Sequence, residues 1–105
     1  APTHFKSRNA GKVIKLDNID TQAGTLAPKK TETLNFELIQ KHVDDLILVD
    51  DISMQKAAEW LWFEFGVAAE LSGAASIAAL SDKVFDTRAR NVCSIICGSG
   101  TDGIT

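Results

Sequence analysis

The run Val92-Cys93-Ser94-Ile95-Ile96, passing directly into Cys97-Gly98-Ser99-Gly100-Thr101-Asp102-Gly103, decides how this chain folds. A short β-prone apolar run that breaks into a glycine-rich turn has the form of a buried strand ending at a ligand-facing edge. Ligands of open α/β sheets collect outside the carboxyl ends of strands, and glycines there let backbone N–H groups come close to a ligand. The turn is not a phosphate loop, because no lysine follows its glycines, and it lacks the dinucleotide fingerprint. On glycine spacing alone a tight structural turn is the plainer reading.

Upstream of this run lies a polar linker, Ser81 to Asn91, and before it a helix of small residues. That helix is expected to start near Ser72 or Gly73 and to carry Ala74, Ala75, Ile77, Ala78 and Ala79, which permit close backbone packing. Glu70 stands just ahead of it, where an acidic residue favours the positive end of the helix dipole. Before Gly66 the periodicity predicts another helix, with Ser53 as N-cap and Met54, Ala57, Ala58, Leu61 and Phe65 as the inward stripe. Trp60, Trp62 and Phe63 widen its apolar surface, so it is expected to be covered on several sides. The two tryptophans read as core rather than as a stacking platform.

Leu46-Ile47-Leu48-Val49, between Asp44-Asp45 and Asp50-Asp51, reads as a second buried strand with solvated ends. A helix with Phe36, Ile39 and Val43 on one face precedes it. Residues 21–33 read as a loop with a helical turn, Val13-Ile14-Lys15-Leu16 as a weak strand, and Gly11 as the close of a short helix through Phe5 and Arg8. The order is helix, strand, helix, helix, strand, glycine turn. That is α/β grammar, a partial parallel sheet flanked by helices. So few strands make a poor sheet, and the chain opens on Ala1 rather than methionine, so we expect a segment of a larger fold.

Composition narrows the function. Across 105 residues, 45% hydrophobic and 24% charged, the net charge of -3 offers no footprint for nucleic acid. The longest strongly apolar stretch, Trp60 to Ala69, contains Glu64 and is too short to span a bilayer. His4 and His42 have no companions at metal-ligand spacing, so no metal site is expected. Cys93 and Cys97 would stand about 13 Å apart on a strand, too far for a disulfide. Free thiols fit a reducing cytoplasm.

Two features occur together and in order: Glu70-x-Ser72-Gly73-Ala74-Ala75 on a small-residue helix, then an apolar strand ending Cys97-Gly98-Ser99-Gly100. Together they resemble the end of a fold-type II pyridoxal-phosphate enzyme, and most closely the serine/threonine dehydratases, a group related to the tryptophan synthase beta chain. Ala1-Pro2-Thr3, with Ser7, Gly11 and Lys12, resembles the segment after that family's phosphate-binding glycine loop. Asp20-Thr21-x-Ala23-x-x-Leu26 resembles its Thr-Ile-Ala-Asp-Gly-Leu stretch. Val43-Asp44-Asp45-Leu46-x-Leu48-Val49 resembles the strand before its penultimate helix.

The resemblance implies that residues 1–105 are the C-terminal part of a catalytic domain whose N-terminal half holds the Schiff-base lysine and the phosphate loop. No lysine here lies in a comparable Ser-x-Lys context, so no catalytic residue is expected in this chain and the chain alone should be inactive. Cofactor contacts are implied at Cys97, Gly98, Ser99 and Glu70. A neutral Cys or Ser meets the pyridine nitrogen in this family, and the register leaves either Cys97 or Ser99 in that place. Thiols as a class are mostly protonated at neutral pH, so such a partner does not hold the ring nitrogen positive as an aspartate would. Some relatives use an acid for a divalent cation at the position of Thr3, which supplies no such ligand.

The implied activity is that of an ammonia-lyase, eliminating water from a hydroxy amino acid to give a 2-oxo acid and ammonia. Racemisation, β-replacement and threonine synthesis are alternatives within the family. A non-catalytic α/β module using 97–103 as an anion cradle is the alternative outside it. The implied partners are the missing N-terminal half, an amino-acid substrate and, for the complete enzyme, further copies of itself. Neither nucleic acid nor membrane is expected as a partner.

Overall fold

A computed structural model describes residues 1–84 and 86–104. The chain divides into two compact units, one formed by Ala1–Thr21 with Thr25–Leu48, the other by Gln22–Gly24 with Val49–Thr105.

In the first unit, α1 (Thr3–Ala10) ends at Gly11 in the left-handed conformation. The Gly11 and Lys12 amides donate back to the Arg8 and Ser7 carbonyls at 3.1 and 3.2 Å, the paired bonds of a Schellman cap. Buried Ser7 keeps its hydroxyl satisfied by accepting from the Ile14 amide at 3.1 Å. Buried Thr3 donates its hydroxyl to the Pro28 carbonyl. Helix α2 (Thr33–His42) half-buries Phe36 and Ile39 of its expected face, while Val43, the third residue of that face, follows the helix as its C-cap and is exposed. Arg8 reaches the far end of α2, where carbonyls lack intrahelical partners. Its guanidinium donates to Ile39 O at 2.6 Å, Val43 O at 2.8 Å, Asp44 O at 3.3 Å and Gln40 Oε1 at 2.8 Å. A cation there also complements the negative end of the helix dipole.

The second unit is built around α3 (Asp51–Phe65) and α4 (Ala75–Ser81). Helix α3 begins one turn earlier than its expected cap: Asp50, not Ser53, is the N-cap, its carboxylate accepting the Ser53 amide at 2.7 Å. The acid already stands where the backbone is extended, which lets its side chain fold back onto the first turn. At the other end Gly66 closes the helix in the left-handed conformation. Met54, Ala57, Ala58 and Leu61 are buried and join Ala23, Ala69, Leu71, Ala74 and Ala78 in one core. Alanines on both helices allow this close approach. A 3₁₀ turn over Ser72–Ala74 leads into α4, matching the helix start expected near Ser72 or Gly73.

Several expectations change. Phe65 is exposed and stacks edge-on with Trp60, ring centroids 4.9 Å apart, so the inward stripe ends at Leu61. Phe63 is 74% exposed, so the outer face of α3 is not covered. Neither apolar run pairs as a strand: among the described residues the one β-bridge is antiparallel, Ala69 with Ser99. Residues 46–49 and 92–96 are non-helical and largely solvent-facing, with Ile95 75% exposed. A parallel strand is stabilised by neighbours hydrogen-bonded on its edges and helices over its faces, and neither run finds them among the described residues. Val13–Leu16 likewise forms no ladder among the described residues, although the Leu16 amide donates to the Lys29 carbonyl at 2.7 Å. The linker read over 81–91 includes Phe85, which lies outside the described residues.

Candidate functional site

Residues 68–74 and 97–102 face one another in the second unit. The Glu70 amide donates to the Gly98 carbonyl at 2.8 Å and the Gly100 amide to the Ala68 carbonyl at 3.1 Å, flanking the Ala69–Ser99 bridge. A longer bond, 3.4 Å, runs from the Cys97 amide to the Gly73 carbonyl. The three bonds seat the glycine turn on the segment that opens α4.

Two glycines make this contact possible. A Cβ on Gly73 would collide with the Cys97 carbonyl oxygen and lie 2.6 Å from its carbon. The obstacle is backbone, so no rotamer change relieves it. Gly98 has a left-handed backbone, φ 68°, and a Cβ there would collide with the Glu70 carboxylate. Glu70 therefore lies against Gly98 along both backbone and side chain. Two of the residues singled out in the sequence, 28 positions apart by their numbers, are in direct contact.

An open groove of about 280 Å³ lies beside this contact, lined by Val67, Ala68 and Ala69 on one side and by Ile96, Cys97, Gly98 and Ser99 on the other. Its volume is close to the lower end, about 300 Å³, of the range for small-molecule sites. Cys97 and Ser99 both border it, and both cysteines of the chain are free and exposed. Glu70 borders the turn but not the groove. The approach to the turn is braced by hydroxyls: Ser94 Oγ donates to Ser76 Oγ, which donates to the Ile95 carbonyl, each at 2.7 Å. The chemistry offered is a thiol and a hydroxyl on a small-residue wall, with a carboxylate behind the turn.

Sequence reasoning missed Asp102 and Gln55. Asp102 Oδ2 accepts the Leu71 amide at 2.9 Å, and its carbonyl accepts from Gln55 Nε2 at 2.6 Å. The available signal was a short acid shortly after the glycines, of the kind that caps free amides. Among the described residues no group of three or more His, Cys, Asp or Glu could hold a metal ion, and no helix is long and apolar enough to cross a membrane.

Residues 1–98 match the family described as "Pyridoxal-phosphate dependent enzyme". Over 97% of its length the chain is 33% identical to the L-threonine dehydratase biosynthetic IlvA of Bacillus subtilis (strain 168), covering 24% of that protein. Over 96% of its length it is 31% identical to the L-threonine ammonia-lyase of Thermotoga maritima, covering 25% of it. The chain thus spans about a quarter of the curated relatives it matches. Among solved structures, maize serine racemase superposes with a TM-score of 0.83 at 29% identity, over 97% of this chain and 33% of that one.

Proposed function

From the premise that this chain belongs to the family of pyridoxal-phosphate dependent enzymes, we propose that it forms the ring-nitrogen wall of a serine/threonine dehydratase-like ammonia-lyase. In this reading residues 1–105 are the C-terminal part of the catalytic domain, working with a region that carries the cofactor's lysine and phosphate contacts. The enzyme takes a hydroxy amino acid, eliminates water and, by hydrolysis, releases ammonia and a 2-oxo acid. Two relatives bear threonine dehydratase and threonine ammonia-lyase names, which supports a hydroxy amino acid as substrate. It works in the cytoplasm, as a homo-oligomer.

The observation that carries the proposal is the seating of Cys97-Gly98 on Glu70 and Gly73 beside an open groove bordered by Cys97 and Ser99. The residues present fit one edge of the cofactor. Cys97 serves as the neutral partner of the pyridine nitrogen, with Ser99, two residues on, as the alternative. Gly98 brings the backbone close to the ring, and Glu70, held behind it, fixes the turn. When bound, pyridoxal phosphate supplies an electron sink for bond breaking at the amino acid. The contribution of Cys97 is to leave the ring nitrogen without a fixed anion beside it, so that elimination is favoured over transamination. The chain's own residues bind and orient here. None of its lysines is assigned a covalent role, and the chain by itself is inactive.

A second reading, racemisation, is favoured by the superposition on maize serine racemase. One experiment separates the two. The protein containing this chain, loaded with pyridoxal phosphate, is given L-serine and L-threonine, and 2-oxo acid, ammonia and D-amino acid are quantified. Release of 2-oxo acid and ammonia in equal amounts supports the lyase, and D-amino acid as main product supports the racemase. A protein that holds the cofactor yet yields neither rules out both.

A further inference from the structure

The groove is walled by 67–69 and 96–99, which backbone bonds tie to each other, and a further tie lies outside it. Leu71 follows Glu70 directly, and its amide is bound by a side chain rather than by the opposite backbone: Asp102 Oδ2, at 2.9 Å. Asp102 is in turn fixed from α3, since its carbonyl accepts from Gln55 Nε2 at 2.6 Å. The next residue, Gly103, is buried against α3, where a Cβ would lie 2.9 Å from the Glu59 amide nitrogen and would collide with the Ala58 carbonyl. The turn beyond the glycines is thus pinned to α3. From there a single carboxylate reaches back to the residue after Glu70.

Consecutive amides are therefore held by one segment: Glu70 by the Gly98 carbonyl and Leu71 by the Asp102 carboxylate. Anchors on these two amides restrain the two peptide planes that meet at the Glu70 Cα, and with them the direction in which the Glu70 side chain leaves the backbone. The Glu70 carbonyl also accepts from the Ala74 amide at 3.2 Å, so the Asp102 bond adds to an anchored peptide group. A charge-assisted bond to an amide is also stronger than a neutral one.

We infer that Asp102 is a positioning residue for the cofactor site, holding Glu70 and the Cys97-Gly98 wall in register from outside the groove. The inference rests on the cofactor reading proposed above. Asp102 touches no cofactor in this account and acts only through Leu71 and the turn.

The test uses Asp102→Leu, which removes the acceptor at similar size, and Asp102→Asn, which keeps an amide oxygen for Leu71. In the 105-residue chain with Cys93→Ser, Cys97 is the sole thiol. Loss of the bond should speed hydrogen exchange of the Leu71 amide about tenfold. The same variant should accelerate exchange at Glu70 and Gly100 and change the rate of Cys97 alkylation by iodoacetamide. Asp102→Asn should restore all of these, with the α3 helical signal unchanged throughout. In the cofactor-loaded enzyme, Asp102→Leu should shift the cofactor absorbance band and its pH dependence, and Asp102→Asn should not.

Faster exchange confined to Leu71, with Glu70, Gly100, Cys97 alkylation and the absorbance band unmoved, would overturn the positioning role. Failure of Asp102→Asn to rescue would overturn it as well. If the unsubstituted enzyme itself binds no pyridoxal phosphate, the cofactor reading fails and this inference with it. That outcome is distinguishable because it appears before any substitution at Asp102.

Discussion

Gly73 lies so close beneath Cys97 that a single added carbon would occupy the space of the Cys97 carbonyl oxygen. The start of α4 and the end of the run 92–96 are thereby held at a separation only glycine permits. Gly73→Ala should displace the turn, at a cost at or beyond the roughly 3 kcal/mol upper range of ordinary overpacking. Denaturant midpoints, read beside the alkylation rate of Cys97, check this. Unchanged values in both would mean that the two segments are not in contact.

The core around α3 predicts a sharp contrast between neighbouring positions. Leu61 is 2% exposed within the alanine-lined core, so Leu61→Ala should cost about 2–5 kcal/mol. Phe63, on the opposite face, should change the stability of the isolated chain by no more than about 0.5 kcal/mol when truncated to alanine. Chemical denaturation of the two variants compares them directly.

Trp60, Phe63, Phe65 and Ile52 are all exposed along α3. Large apolar side chains left exposed on one helix promote association. The isolated chain should therefore bind a hydrophobic dye and self-associate as its concentration rises. Phe63→Lys should reduce both effects without loss of helical signal, and dye fluorescence with sedimentation would test it.

Asp50 links helix α3 to pH. Its carboxyl is held below the ordinary value of 3.8, chiefly by the hydrogen bond from the Ser53 backbone amide. A depressed folded-state value means the stabilisation is fully present above 3.8 and is lost as pH falls through the lower folded value. Asp50→Asn keeps a capping oxygen but removes the charge. The difference in stability between the two proteins should thus shrink as pH is lowered from 5 toward 2. A difference that stays constant over that interval would mean the charge contributes nothing.

What could be read from the sequence was whatever depends on local chemistry. Gly11 and Gly66 close their helices because a left-handed residue ends a helix wherever it occurs. The stripe Met54, Ala57, Ala58, Leu61 follows from helical period alone. Glu70, Gly73 and Cys97-Gly98 were recognisable as a set through their order along the chain, and the structure brings them into contact. That 46–49 and 92–96 find no ladder among the described residues was not legible, because an apolar pattern marks a run suited to burial and not whether neighbours are there to cover it. Arg8 at the end of α2 and Asp102 at Leu71 were invisible for a related reason. Each bonds across 31 residues, to Ile39 and to Leu71 respectively, and backbone groups leave no mark on composition.

The most direct measurement of the central claim is the pH-dependent absorbance of the cofactor in the loaded enzyme, compared among Cys97→Asp, Cys97→Ser and Ser99→Ala. An aspartate beside the ring nitrogen should keep it protonated across the neutral range and cut elimination relative to transamination. A serine in the same place should preserve both the spectrum and much of the lyase activity, and Ser99→Ala should leave both intact. If Cys97→Asp instead matches the unsubstituted enzyme while Ser99→Ala loses the cofactor, Ser99 and not Cys97 faces the ring nitrogen, and the claim is contradicted.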